Sequence, residues 1–300
     1  MSQEEADASE RAREAHTPSP LRPYVSTGKT PLVGLLAGIT AGACAAIVLA
    51  HLYVLGTVYI PIVQVEFLLT AGFGAAIGWV TAHFMHRFKV RSRALIMASS
   101  LGLASIGWLF SWLVWLDHTF GDQVGMLDLA NPFMAIGLVA QVFETGTWSV
   151  GSSLSGAVNG LPLAAVWLVE AVIILVGAAF VAQNETHDRV FCERCESWCS
   201  VHPDRRFFDV SESESLLSGL VERGDWTVLS MAKDPTTGGQ WLSLKLGVCD
   251  GCHGTNVVAV DHITQSFDNR GNEVRTPKVF IAYHCITHEQ MTALRSQLGC

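Results

Sequence analysis

The sequence predicts a membrane protein in two parts, an all-α four-helix transmembrane bundle followed by a soluble α+β domain. Three observations carry this reading. Half of the 300 residues are hydrophobic and only 15% are charged, with a mean hydropathy of +0.34. Charge is excluded from the middle of the chain: Glu66 is the only charged residue between Pro31 and Phe84, and no Lys or Arg falls between Arg93 and Arg189. From residue 184 onward the composition becomes that of a soluble domain of about 115 residues, enough for a small core.

A helix needs about 20 apolar residues to cross a bilayer. Four segments reach that length, residues 31–56, 61–84, 94–116 and 161–181. The first run is long, follows an acidic tail and lacks a small-residue cleavage site, so it reads as a span and not as a signal peptide. Residues 1–30, acidic and Pro-containing, are expected to be a disordered tail.

Basic loops are retained on the cytoplasmic side of a membrane. Arg87, Lys89, Arg91 and Arg93 fill the loop between the second and third spans, whereas the stretch from Asp117 to Gly160 has four acids and no Lys or Arg. The expected topology is a multi-pass protein of the cell (inner or plasma) membrane with both termini cytoplasmic. Tyr53 and Tyr59 then lie at the outer ends of the first two spans. Trp108, Trp112 and Trp115 share one face of the third, and the expectation is a lipid-facing interfacial belt.

Gly34, Gly38 and Gly42 recur every four residues and continue into Ala46 and Ala50; Thr70, Gly74, Gly78 and Ala82 repeat the pattern in the second span. Such stripes let backbones approach closely. They predict a tight hairpin of the first two helices and leave contact with a second copy of the chain open. In the outer loop, "NPFMAIGLVAQVF" places Asn131 to cap a helix of about residues 132–144 with Pro132 in its first turn. Thirteen residues rise only about 20 Å, so this helix is interfacial or re-entrant.

Polar residues inside the apolar segments form a second group. Glu170 sits near the middle of the fourth span, where a lone carboxylate costs several kcal/mol. If the helices meet as the glycines indicate, His51, Gln64, Glu66 and Glu170 converge in the outer half of the bundle as a proton or cation site. The competing reading makes Glu66 an interface residue, has His51 bonded to a backbone carbonyl, and uses Glu170 as interhelical glue.

The soluble domain carries the strongest motif. Cys192 and Cys195 form one CxxC, and Cys249 and Cys252 form another after 53 intervening residues. Two thiolates at this spacing chelate one ion from a tight turn, and two such turns complete a tetrahedral four-sulfur shell. In a reducing compartment zinc is the expected occupant, with iron also chemically possible. Cys199, His202 and His253 lie close enough in sequence to replace one of the four. Cys44, Cys285 and Cys300 read as unpaired.

These paired CxxC turns with flanking strands resemble a zinc ribbon with a long insertion between its knuckles, which implies a scaffold and no particular activity. The whole chain resembles bacterial polytopic membrane proteins. Within the insertion, "SESESLLSGLVERG" has Ser211 and Glu214 at capping-box spacing and Gly224 as a stop. After the second knuckle, "TNVVAVDHITQSF", "DNRGNE" and "VRTPKVFIAYHCI" read as a β-hairpin. Thr287 and Gln290 then cap a terminal helix to about Leu298.

The sequence contains no phosphate-binding glycine loop, serine-hydrolase elbow or zincin pair, and a closed four-sulfur zinc site leaves no open position for catalysis. The expected function is a membrane protein whose zinc-stabilised cytoplasmic domain binds or scaffolds a protein partner. One alternative is a small ion or proton transporter or channel subunit using Glu170, Glu66 and His51; a second is a metal- or thiol-responsive sensor. The net charge of −8 argues against a nucleic-acid partner.

Overall fold

A computed structural model describes residues 21–60, 62–122, 124–146, 158–209 and 239–298. The capping-box segment from Ser211 to Gly224, most of the tail, and Cys300 lie outside the described residues. The chain divides into two compact units: Thr27–Asp188, and a second in which residues 21–26 join the chain from Arg189 onward.

The first unit contains helices α1 (Leu32–Tyr59), α2 (Val63–Arg87), α3 (Arg93–Phe120), the short α4 (Met126–Leu129), α5 (Pro132–Thr145) and α6 (Gly160–His187). Four of them, α1, α2, α3 and α6, are long and apolar enough to cross a membrane. Their ends have local causes. Pro31 stands immediately before α1, and the Ser92 hydroxyl accepts from the Leu95 N–H at the start of α3. In α5 the Asn131 side chain accepts from the Phe133 N–H with Pro132 in the first turn, the arrangement its sequence predicts.

The small-residue face of α1 is buried from Gly34 to Ala50. It lies against Met85 and Thr81 of α2 and Leu103 of α3. The stripe of α2 has a different partner. A Cβ added at Gly74 or Gly78 would run into the backbone carbonyls of Ile174 and Ala178 on α6. So α1 and α2 do pack together, but the glycines of α2 at 74 and 78 face the backbone of α6. A stripe defines a face that admits another backbone without specifying whose.

The tryptophans of α3 also take part in packing between helices. Trp112 meets Trp167 of α6 edge-on at 4.8 Å between ring centroids, and Trp108 and Trp115 are partly buried against the helical core. The Trp112 ring thus bridges α3 and α6, and all three rings are part-buried, with apolar area left outside the bundle. Phe143 of α5 also approaches Trp167, at 6.4 Å. At one end of the bundle the Arg91 N–H donates to the Lys29 carbonyl, and the Arg93 guanidinium donates to the His187 carbonyl. The basic loop, the start of α1 and the end of α6 therefore share that end.

The second unit is built on an antiparallel sheet of order β1-β7-β6-β5-β4, with β1 at Arg22–Pro23, β4 at Ser200–Asp209, β5 at Gln240–Val248, β6 at Asn256–Phe267 and β7 at Glu273–Ile286. A separate two-stranded ribbon pairs β2 (Phe191–Cys192) with β3 (Ser197–Trp198). Strand periodicity of two puts Leu242, Leu244, Leu246 and Val248 of β5 on one face. There they form a core with Val258, Val260 and Ile286, closed by Met291 and Leu294 of the terminal helix α7 (His288–Leu298). The α7 capping box is reciprocal: Thr287 N–H donates to Gln290 Oε1 at 2.8 Å, and Gln290 N–H donates to Thr287 Oγ1 at 3.1 Å.

The β6–β7 hairpin turns where it was expected. The Asp268 carboxylate accepts from the N–H groups of Arg270 and Asn272, which holds its pKa below the ordinary value, with the Asn272 side chain the largest contributor. Residues 21–24 depart from the disordered tail the sequence predicts. Arg22 and Pro23 pair with Cys285 and His284, and Tyr24 N–H donates to the Tyr283 carbonyl at 2.8 Å. A strand at the rim of a sheet offers unpaired backbone groups, and β1 satisfies them over this part of β7.

Candidate metal centre

Each CxxC sits at the turn of a hairpin. In the first, Cys192 pairs across β2–β3 with Ser197, and the buried Phe191 packs edge-on against Trp198 at 5.0 Å. In the second, Val248 pairs with Asn256 to close β5 onto β6. That turn is held by Cys249 N–H donating to the Thr255 carbonyl and by His253 N–H donating to the Cys249 carbonyl. Gly251 lies where the two turns meet, and a Cβ there would stand 3.2 Å from the Cys195 sulfur, a tight contact.

The sulfurs of Cys192, Cys195, Cys249 and Cys252 all lie within 4.8 Å of one another. Cys192 Sγ is 3.6 Å from Cys252 Sγ, and Cys252 Sγ is 3.7 Å from Cys249 Sγ. A disulfide would bring sulfurs to about 2.05 Å. A tetrahedral shell with metal–sulfur bonds of about 2.3 Å has edges of about 3.8 Å, which these two separations match. The four cysteines are placed so that they could hold a metal ion.

The electrostatics favour thiolates at two of the four. Burial works against charge at Cys249, but N–H groups of Cys252 and Gly251 outweigh it and bring the thiol down to about 6. Burial also opposes ionisation of Cys192, and hydrogen bonds led by Thr255 lower it nonetheless. Cys195 is pushed up to about 12, chiefly by its hydrogen bond to Cys252. A cation drawn to the lowered pair would displace the protons of the others.

Cys199, His202 and His253 do not belong to the converging group among the described residues. Cys199 is pushed up to about 12, first by burial and then by the neighbouring Cys249 and Cys192. His253 is exposed, with its ring 6.2 Å from that of His288. Sequence reasoning passed over several supports of the site. Ser197 Oγ lies 3.9 Å from Cys249 Sγ, Gly254 N–H donates to Cys252 Sγ at 3.4 Å, and Ser200 hydrogen-bonds Asp250. The Tyr24 hydroxyl accepts from the Phe191 N–H at 2.8 Å. The small polar residues lie beside the CxxC pairs and were open to notice, whereas nothing in the local sequence marks Tyr24.

Among the described residues, no side-chain hydrogen bond joins any two of His51, Gln64, Glu66 and Glu170. Glu170 of α6 has its Oε1 2.8 Å from the Tyr53 hydroxyl of α1, which in turn lies 3.1 Å from Thr70 Oγ1 of α2. His51 instead places Nδ1 2.9 Å from the Ile47 carbonyl of its own helix, and its ring lies against Phe110 of α3. Gln64 and Glu66 are exposed near the start of α2. The side chains that reach Glu170 are a tyrosine and, through it, a threonine.

An apolar four-helix unit and a four-cysteine centre borne on an antiparallel α+β unit together define the class of this protein. Comparison with protein-family models, with curated proteins and with solved structures gives no match for the chain.

Proposed function

We propose that the chain is a multi-pass membrane protein that presents a zinc-ribbon-like domain, held by one structural zinc, to a protein partner in the cytoplasm. The observation that carries this reading is the four-sulfur cluster, two of whose edges, at 3.6 and 3.7 Å, fit a tetrahedral zinc shell. Four protein ligands close that shell, so the metal's role is to hold the two hairpins together, and the domain's role is recognition. The cytoplasmic side is supported by the gathering of Lys29, Arg91 and Arg93 at one end of the helices.

Metal analysis and X-ray absorption on the purified full chain, with Cys249→Ser alongside, test the reading. One zinc in a four-sulfur shell, lost together with the fold of the domain in the variant, is the expected result. Cysteine pairs that cycle between thiol and disulfide without loss of structure would instead identify a thiol-responsive sensor.

A further inference from the structure

The helical unit contains a carboxyl group that the metal centre does not use. Glu170 Oε1 is 2.8 Å from the Tyr53 hydroxyl, Tyr53 is 3.1 Å from Thr70 Oγ1, and Thr70 Oγ1 is 2.8 Å from the Glu66 main-chain carbonyl. Side chains of α1, α2 and α6 thus meet in one line of oxygens that ends on a backbone acceptor. Tyr53 and Thr70 are buried within it.

Proton counting gives the line a direction. Each hydroxyl has one proton to donate, and a carbonyl has none. The Glu66 carbonyl therefore takes the proton of Thr70. The Thr70 oxygen is then left to accept, and the proton it accepts belongs to Tyr53. With that proton committed, the short contact between Tyr53 and Glu170 is a hydrogen bond when the carboxyl supplies its own proton. An ionised Glu170 would draw the Tyr53 proton to itself and leave Tyr53 and Thr70 oxygen to oxygen. Turning Thr70 toward Tyr53 would repair that contact only by giving up the bond to Glu66.

No Lys, Arg or His is bonded to Glu170 among the described residues, and His51 is held by Ile47 on another face. Among the described residues the titratable groups beside Glu170 are Tyr53 of α1 and Glu66 of α2, neither of them cationic. Around Trp167, one turn earlier on α6, α3 and α5 present the aromatic rings of Trp112 and Phe143.

We propose that Glu170 is a proton-binding site in the helical unit, protonated at neutral pH and donating into the line Glu170, Tyr53, Thr70, Glu66 carbonyl. When the site empties, the proton passes to water, and the Tyr53 hydroxyl turns from Thr70 to the new carboxylate. Proton occupancy thereby sets the hydrogen-bond order at a junction of three helices. The inference stands apart from the partner-binding role of the metal domain.

Infrared spectroscopy of the full chain in nanodiscs of uncharged lipid tests it through the C=O stretch of protonated carboxyl groups. At neutral pH the parent should show a band that is lost in Glu170→Gln and shifted in Tyr53→Phe, where the carboxyl loses its acceptor. The side-chain amide introduced by Glu170→Gln can donate to Tyr53 in place of the carboxyl, so this variant is expected to fold. If it does not, Tyr53→Phe decides alone. A parent without the band, a band that persists in Glu170→Gln, or one unmoved by Tyr53→Phe would each overturn the proposal.

Discussion

The Tyr24 hydroxyl accepts a hydrogen bond from the Phe191 N–H at 2.8 Å across 167 residues of sequence, one position before Cys192. Phe191 is buried, so its N–H needs a partner, and losing a hydrogen bond of this kind costs about 1–3 kcal/mol. Tyr24→Phe should therefore destabilise the domain by about that amount and increase the rate at which a chelator extracts metal. Thermal unfolding and a chelator time course on the metal-loaded protein would check both effects. A variant indistinguishable from the parent in both would show that the N-terminal strand does not brace the first knuckle.

The same residue predicts an alkaline limit. Burial raises the Tyr24 pKa above its ordinary value, and the bond from Phe191 opposes this only in part. The folded state therefore keeps the phenol proton where the unfolded chain has lost it. The stabilisation from Tyr24 is complete below about pH 10, the ordinary tyrosine pKa, and is lost as pH rises through the higher folded value. The parent should lose stability across that range more steeply than Tyr24→Phe, as followed by unfolding melts at a series of alkaline pH values. Parallel curves would remove Tyr24 as the cause.

Gly74 and Gly78 admit the backbone of α6, which cannot give way as a flexible side chain can. Gly74→Leu should separate α2 from α6 at about 1–3 kcal/mol or more, in the range of overpacked cores. Gly72→Ala adds its methyl where nothing lies within 4 Å and should be neutral. Unfolding of both variants in mixed micelles gives the comparison. Equal stability of the two would mean that the α2–α6 approach is not a determinant of the bundle.

What the sequence made legible is local or compositional. Apolar length marked four long helices, Asn131 and Pro132 marked the start of α5, and the turn around Asp268 joined two strand-like runs. The two CxxC turns announced themselves because a chelating pair is set within four residues. Choice of partner is different, because it is decided by residues distant along the chain. The glycines of α2 could be seen but not their contact with Ile174 and Ala178, and neither Tyr24 beside Phe191 nor Tyr53 beside Glu170 has a local signature. His51, by contrast, satisfies itself on its own helix, an option that removed it from the polar cluster expected around Glu170.

Five cysteines crowd the candidate metal centre, and the geometry separates four from the fifth. Cys199 lies outside the converging set, so Cys199→Ser should retain full metal stoichiometry. Cys195→Ser removes one corner of the shell and should reduce affinity by orders of magnitude, because metal binding in small sites of this kind is coupled to folding. Chelation of the parent should then unfold the knuckles, and adding back zinc should restore them. Metal content by elemental analysis together with circular dichroism of the two variants tests this assignment. Loss of metal in Cys199→Ser with retention in Cys195→Ser would exchange their roles and make Cys199 the fourth ligand.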